Sequence, residues 1–207
     1  MKTIEVATPH GPAHVHLHSA DEPPAALILG HGAGGGVASR DLVAATNAAI
    51  SDGVSVALVE QPYRVAGRRS PAPARQLDAA WIAVVEHLAS DLPLVVGGRS
   101  LGARVACRTV QATGAVAVLC LAFPLQPPRR SGAAPAPSRL PELDDVTVPM
   151  LVVQGERDRF GIPPAGRRRT VVQVPGDHSL RKDLDAVEDA VRGWVPGVVG
   201  SRVADAI

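Results

Sequence analysis

The stretch Leu94-Val95-Val96-Gly97-Gly98-Arg99-Ser100-Leu101-Gly102-Ala103-Arg104-Val105-Ala106-Cys107-Arg108 runs from apolar residues, through Gly-x-Ser-x-Gly, into a helix-like segment. A serine at such a strand-to-helix turn is forced into a sparsely populated backbone conformation. Small residues two positions to either side let the neighbouring chain approach without Cβ clashes. The hydroxyl is thereby pushed out for attack. A turn that merely reversed the chain would not need glycines at both flanking positions and a third at Gly97. Ser100 is therefore the candidate nucleophile.

A serine hydroxyl is a weak nucleophile near neutral pH, so it needs a base to take its proton and a third group to orient that base. The run Val148-Pro149-Met150-Leu151-Val152-Val153-Gln154-Gly155 ends in Glu156-Arg157-Asp158, which makes Asp158 the candidate acid, with Glu156 and Asp177 as competitors. The next apolar run, Thr170 to Val174, stops at Pro175-Gly176 and leads into Asp177-His178-Ser179. His178 is the candidate base. Its competitors are His31, which sits in a glycine-rich loop, and His87, which sits on a helix far from the strand ends. Each candidate lies just past a predicted strand, in the chain order Ser, Asp, His known from one α/β architecture. The imidazole must be neutral to accept the serine proton, so activity is expected to fall on acidification.

Acyl transfer builds negative charge on the substrate oxygen, and fixed backbone N–H donors are its usual stabiliser. One donor is expected from Leu101, the residue after the nucleophile. The other is expected from the loop Gly30-His31-Gly32-Ala33-Gly34-Gly35-Gly36, at Ala33 first and Gly32 second. That loop also satisfies Gly-x-Gly-x-x-Gly through Gly30, Gly32 and Gly35, the fingerprint of a dinucleotide-binding turn. The partner acid does not fit: Glu60 comes about thirty residues after the first glycine where about twenty are required, and it leads into a proline. His31, Gly32, Tyr63 and Arg99 are further candidates for contact with substrate. Arg99 is expected to pair with a carboxylate such as Glu60 and brace the serine turn. Together with Arg64 and Arg104 it would also form a cationic rim.

The strings GHGAGG, EQPYRVAGRRSPAP, GGRSLGARVA, LAFPLQPP, VVQGERDRFG and PGDHS occur in this order between about Ala25 and Trp194. In them the chain resembles the small α/β-hydrolase family that includes a testis-expressed protein and a subunit of the non-specific lethal chromatin complex. Dienelactone-hydrolase-like enzymes are more distantly similar. The resemblance implies an α/β-hydrolase fold, with Ser100, Asp158 and His178 on the family's triad positions, and it implies no particular substrate. One branch of that family resembles a scaffold, so the alternative to an esterase or thioesterase is an interaction module that keeps the fold without turnover.

Composition narrows the class further. The chain has 207 residues, 46% of them apolar and only 2% aromatic, so the core must be built from Val, Leu, Ala and Ile. A net charge of +1 argues against a nucleic-acid footprint, despite clusters at Arg64, Arg68, Arg69 and at Arg167, Arg168, Arg169. Cys107 and Cys120 fall in apolar surroundings and read as reduced, buried thiols. The alternating His10, His14, His16 and His18 read as an exposed strand face, because no carboxylate or cysteine is expected beside them to complete a metal site. The chemistry calls for no cofactor, and the partner is a small acyl substrate. The amino terminus lacks a signal-peptide apolar core, and no run of about eighteen apolar residues could span a bilayer. A cytoplasmic location is expected, and the sequence leaves the oligomeric state open.

The organisation expected is a β-hairpin over residues 1 to 18, then six apolar runs alternating with helices: a mostly parallel sheet covered on both faces. Ser39 is read as the N-cap of a helix with Leu42, Ala45, Ala49 and Ile50 on its inner stripe. Leu77, Trp81, Val84 and Leu88 mark another helix. Leu180, Leu184, Val187, Val191 and Trp194 mark the last, ending at Pro196. One domain over 1–207 follows, with its core at about 25–195 and 197–207 as a loose tail. The Pro- and Ala-rich stretch Gln126 to Glu142 stands where hydrolases insert a cap and is too short to be one. An open site for small or extended substrates is the consequence.

Overall fold

The alternation of apolar runs becomes an eight-stranded sheet in the order β1-β2-β4-β3-β5-β6-β7-β8. The computed structural model describes residues 2–127 and 136–205. Its strands are β1 (Lys2–Val6), β2 (Ala13–His18), β3 (Ala26–Gly30), β4 (Ser55–Glu60), β5 (Leu94–Arg99), β6 (Ala117–Leu121), β7 (Met150–Gly155) and β8 (Arg169–Val174). Its helices are α1 (Arg40–Ser51), α2 (Pro62–Val65), α3 (Ala74–His87), α4 (Leu101–Thr113), α5 (Leu140–Asp144), α6 (Leu184–Val191) and α7 (Trp194–Asp205). The hairpin β1–β2 is antiparallel and joins β4 antiparallel, while β4, β3 and β5 to β8 are parallel to one another.

Strand side chains alternate between two buried layers. Ile28, Val96, Val118, Cys120 and Val152 meet Trp81 and Val84 of α3 and Val105 of α4 on one face. Leu27, Leu29, Val95, Leu119, Leu121 and Val153 meet Leu42 and Ala45 of α1 and Val187 and Val191 of α6 on the other. A sheet covered on both faces needs strands that are apolar throughout, and this is why so few polar residues interrupt the apolar runs of β3 to β7.

Several local expectations give way to tertiary packing. Ser39 occupies the N-cap of α1 but makes no side-chain capping bond, and Ile50 is exposed rather than on the inner stripe. The last helix divides at Gly193, whose φ of 75° breaks it before Pro196, and Leu180 lies outside α6 with a φ of 50°. Where a loose tail is expected past Pro196, α7 continues to Asp205, and its Val195 and Val199 are buried in the second layer. Proline is tolerated there because it stands in the first turn of α7, where its missing N–H has no intrahelical partner to lose. Of the expected short connection Gln126 to Glu142, residues 128–135 lie outside the described residues.

The turn from β5 to α4 depends on close backbone contact. A Cβ added at Gly102 would fall on the Gly30 carbonyl, and one added at Gly98 would fall on the same carbonyl and stand 2.8 Å from the Gly102 carbonyl carbon. Gly102→Ala should therefore destabilise the protein by roughly 1–3 kcal/mol. Gly36→Ala, whose Cβ meets nothing within 4 Å, should change stability by less than about 0.5 kcal/mol. Urea unfolding midpoints check both, and an unchanged midpoint for Gly102→Ala would overturn the close-contact argument.

Candidate active site

Ser100 stands between β5 and α4 with φ 52° and ψ −102°. Its N–H donates to the Leu121 carbonyl at 2.9 Å, and its carbonyl accepts from Arg104 N–H at 3.2 Å, so backbone bonds on both sides hold the strained residue. The side chain is thereby aimed past the ends of the strands, where its Oγ lies 3.0 Å from His178 Nε2.

Asp158 and His178 arrive on the loops after β7 and β8. Those loops are tied together by Glu156 N–H to the Val174 carbonyl at 3.0 Å and Arg157 N–H to the Gly176 carbonyl at 2.9 Å. Asp158 Oδ2 lies 2.7 Å from His178 Nδ1, and the Asp158 side chain is fully buried. An ionised carboxylate can only accept, so Nδ1 carries the proton and Nε2 presents its lone pair to the Ser100 hydroxyl. Two more donors hold the carboxylate: Gln154 Nε2 at 2.7 Å on Oδ2 and Phe160 N–H at 2.9 Å on Oδ1. Phe160 also sets its ring edge-on to the imidazole, with centroids 4.5 Å apart. Of the competing acids, Glu156 is exposed and Asp177 is turned to Ser179, accepting from its N–H and its hydroxyl at 2.9 and 2.6 Å. His87 is exposed at the end of α3.

Ala33 and Leu101 line the same cleft as Ser100 and His178, a space of about 490 Å³. Neither Ala33 N–H nor Leu101 N–H donates a hydrogen bond among the described residues. A somewhat larger cleft, about 580 Å³, lies at the opposite ends of β3 and β5, away from these groups.

Three of the residues expected to contact substrate are packed into the protein behind the cleft. His31 is buried behind its loop, donating from Nδ1 to the Gly32 carbonyl at 2.8 Å and accepting the Gln61 N–H on Nε2 at 3.1 Å. Tyr63 is also buried, its hydroxyl donating to the Ala33 carbonyl at 3.2 Å, and burial pushes its phenol up to about 12. Gly32 packs on the Arg99 side chain, where an added Cβ would stand 2.6 Å from a guanidinium nitrogen. Arg99 does line the cleft, but its partner is Asp41, at 3.0 Å, and not Glu60. The sheet order explains this: β3 separates β5 from β4, whereas Asp41 sits in the first turn of α1, which follows β3. Arg99 also donates to the His178 carbonyl at 3.1 Å and so fixes the backbone of the base.

Asp41, Gln154 and Phe160 were not singled out in the sequence. Only Gln154 left a signal there, as a lone amide inside an apolar strand. The histidine stripe differs from expectation too, because β1 and β4 bring Glu5 and Glu60 to 3.6 and 3.8 Å from His14. His14, His16 and His18 are half-buried, while His10, in the turn before β2, is exposed. Even so, among the described residues no group of three or more His, Cys, Asp or Glu side chains is placed to hold a metal ion. Cys107 and Cys120 are free and buried, with their sulfurs 3.5 Å apart. No helix among the described residues is long and apolar enough to cross a membrane.

A parallel sheet that ends in a strained serine, with a histidine and a buried aspartate on the later loops, is the arrangement of an α/β-hydrolase. The chain belongs to that family: residues 23–186 match the family described as Alpha/beta hydrolase domain. No curated protein sequence matches it significantly. Among solved structures it is similar to an α/β serine hydrolase without lid from Xanthomonas campestris, with 19% identity, a TM-score of 0.74, and coverage of 97% of this chain and 94% of that one. Est1E from Butyrivibrio proteoclasticus is similar at 16% identity and a TM-score of 0.79, covering 97% and 100%. Dienelactone hydrolase from Anabaena variabilis is similar at 14% identity and a TM-score of 0.73, covering 95% and 96%. Identities this low speak to the fold alone.

Burial holds the His31 imidazole below its ordinary value of about 6.5. The unfolded chain therefore takes up this proton more readily than the folded one. The stability His31 contributes is present above about pH 6.5 and is lost as pH falls through that value. Protonation would also set a second N–H against the Gln61 amide. Melting temperature should thus fall more steeply between about pH 7.5 and 5.5 in the natural protein than in His31→Gln. Parallel curves for the two proteins would contradict this.

Proposed function

We propose that the protein is a serine hydrolase that cleaves small esters, thioesters or related carbonyl compounds through an acyl-enzyme. The observation that carries this reading is the unbroken line from buried Asp158 through the His178 imidazole to Ser100 Oγ, 2.7 and 3.0 Å long, at the floor of an open cleft. Ser100 Oγ attacks the substrate carbonyl carbon while His178 Nε2 takes its proton, and Asp158 stabilises the imidazolium that forms. The carbonyl electrons move onto oxygen, which the N–H groups of Leu101 and Ala33 receive. As the C=O re-forms, the bond to the leaving oxygen or sulfur breaks, and His178 returns the proton to that atom. Water then attacks the acyl-Ser100 ester with His178 again as base, releasing the acid and restoring the serine. Every group in this scheme belongs to the chain, so no cofactor is invoked.

The quoted motifs resemble those of the small α/β-hydrolase family that includes a testis-expressed protein and a chromatin-complex subunit, which supports the same reading. The short connection after β6 and the modest cleft favour small or extended acyl groups over long lipids.

Incubation with a fluorophosphonate should add one adduct by intact mass, mapping to Ser100 and absent from Ser100→Ala. Turnover of activated esters should fall by roughly 10⁴- to 10⁶-fold in Ser100→Ala and about 10⁴-fold in Asp158→Asn. Folded protein that takes up no label and hydrolyses nothing would turn the assignment to an interaction module.

A further inference from the structure

Among the described residues four arginines line the cleft around Ser100, namely Arg99, Arg104, Arg139 and Arg159, and no Asp or Glu lines it. Two of them are neutralised locally. Arg99 pairs with Asp41, and Arg104 grips both oxygens of Glu142 at 2.9 and 2.5 Å. Glu142 is already shared, since Arg108, itself paired with Asp78, also reaches it at 3.6 Å.

Arg139 and Arg159 are different. Among the described residues Arg139 makes one side-chain hydrogen bond, to the Pro124 carbonyl at 2.9 Å, and no ion pair. Partial burial first, then the nearby Arg104 and Arg108, push its pKa down against the opposing attraction of Glu142. Arg159 holds its guanidinium carbon over the Phe160 ring, 4.8 Å from its centroid, and among the described residues has neither hydrogen bond nor ion pair. A cation over a ring is held by the ring's electrons and not by an anion, so its charge is not neutralised there. The stretch 126–139 contains no acidic residue that could neutralise either arginine. Asp158, the remaining carboxylate nearby, is buried behind His178 with its oxygens taken.

The two unpaired guanidiniums stand on different segments, one ahead of α5 and one after β7, with Ser100 in the same cleft. We propose that the cleft selects esters and thioesters bearing a carboxylate, which Arg139 and Arg159 bind while Ser100 faces the scissile carbonyl. This rests on the hydrolase reading for its ester. It rests on the unpaired cations for its charge. A planar guanidinium matches a carboxylate with two parallel hydrogen bonds, so a half-ester of a dicarboxylic acid fits where its neutral diester leaves both cations without a partner.

Monomethyl glutarate and dimethyl glutarate, titrated onto Ser100→Ala protein by calorimetry, separate the two properties without turnover. The half-ester should bind roughly tenfold more tightly at ~0.01 M salt, where the Debye length is ~30 Å, and the preference should shrink at ~1 M, where it is ~3 Å. Adding Arg159→Gln, an exposed position whose described side-chain contact is the Phe160 ring, should reduce the preference several-fold, and adding Arg139→Gln should reduce it as well. Equal affinities, no binding of the half-ester, or a preference untouched by both substitutions would overturn the proposal. A charge-dependent preference in a protein that takes up no fluorophosphonate would keep it and remove the hydrolase reading. Labelling at Ser100 together with equal affinities would do the reverse.

Discussion

Everything at the site depends on the backbone of Ser100 being held in a region of φ and ψ that a residue with a Cβ avoids. Such a conformation costs on the order of 1–3 kcal/mol and persists only where its surroundings over-determine it. Here the Leu121 carbonyl and Arg104 N–H bond its backbone from both sides. Gly30, Gly98 and Gly102 meet at distances no Cβ could share. The same contact brings β3 against the start of α4, which sets the glycine-rich loop beside the serine. Strain at one residue and close packing of three glycines are thus a single feature of the fold.

The opposite wall obeys a different constraint, the burial of a charge. A carboxylate taken out of water is costly unless every oxygen is bonded. Asp158 meets that condition with the Gln154 amide, the Phe160 N–H and the His178 imidazole. Gly155 allows it sterically, because a Cβ there would strike the Asp177 carbonyl in the loop that carries His178. Arg99 completes the wall by bonding buried Asp41 and the His178 carbonyl, linking α1, β5 and the last loop through one guanidinium. Cations that have such partners build the site. The two that lack them are left facing the cleft.

Local signals carried much of this. Continuous apolar runs, glycines at the Ser100 turn and punctuation after β7 and β8 made the strand order along the chain and the Ser100, Asp158 and His178 positions readable. Element ends were read less well, as at Gly193, where a positive φ ends α6 before Pro196 is reached. The partners of charged side chains were hardly readable at all. Glu60 is the mate expected for Arg99 along the chain, and the interposed β3, with α1 following it, gives the pairing to Asp41 instead. His31 and Tyr63 resembled cleft residues because they follow strand ends, yet packing turns both beneath the loop they support.

What the sequence determined by itself was the class of fold and the placement of the serine turn, since hydrophobic period and glycine spacing act over a few residues and need no knowledge of the rest of the chain. Tertiary structure decided which cation met which carboxylate, that His14 lies between two glutamates, and that α7 packs on the core. Those outcomes depend on the lateral order of strands and on contacts between segments tens of residues apart. Arg99 reaches Asp41 across 58 positions of sequence and the His178 carbonyl across 79, distances over which no local pattern carries information.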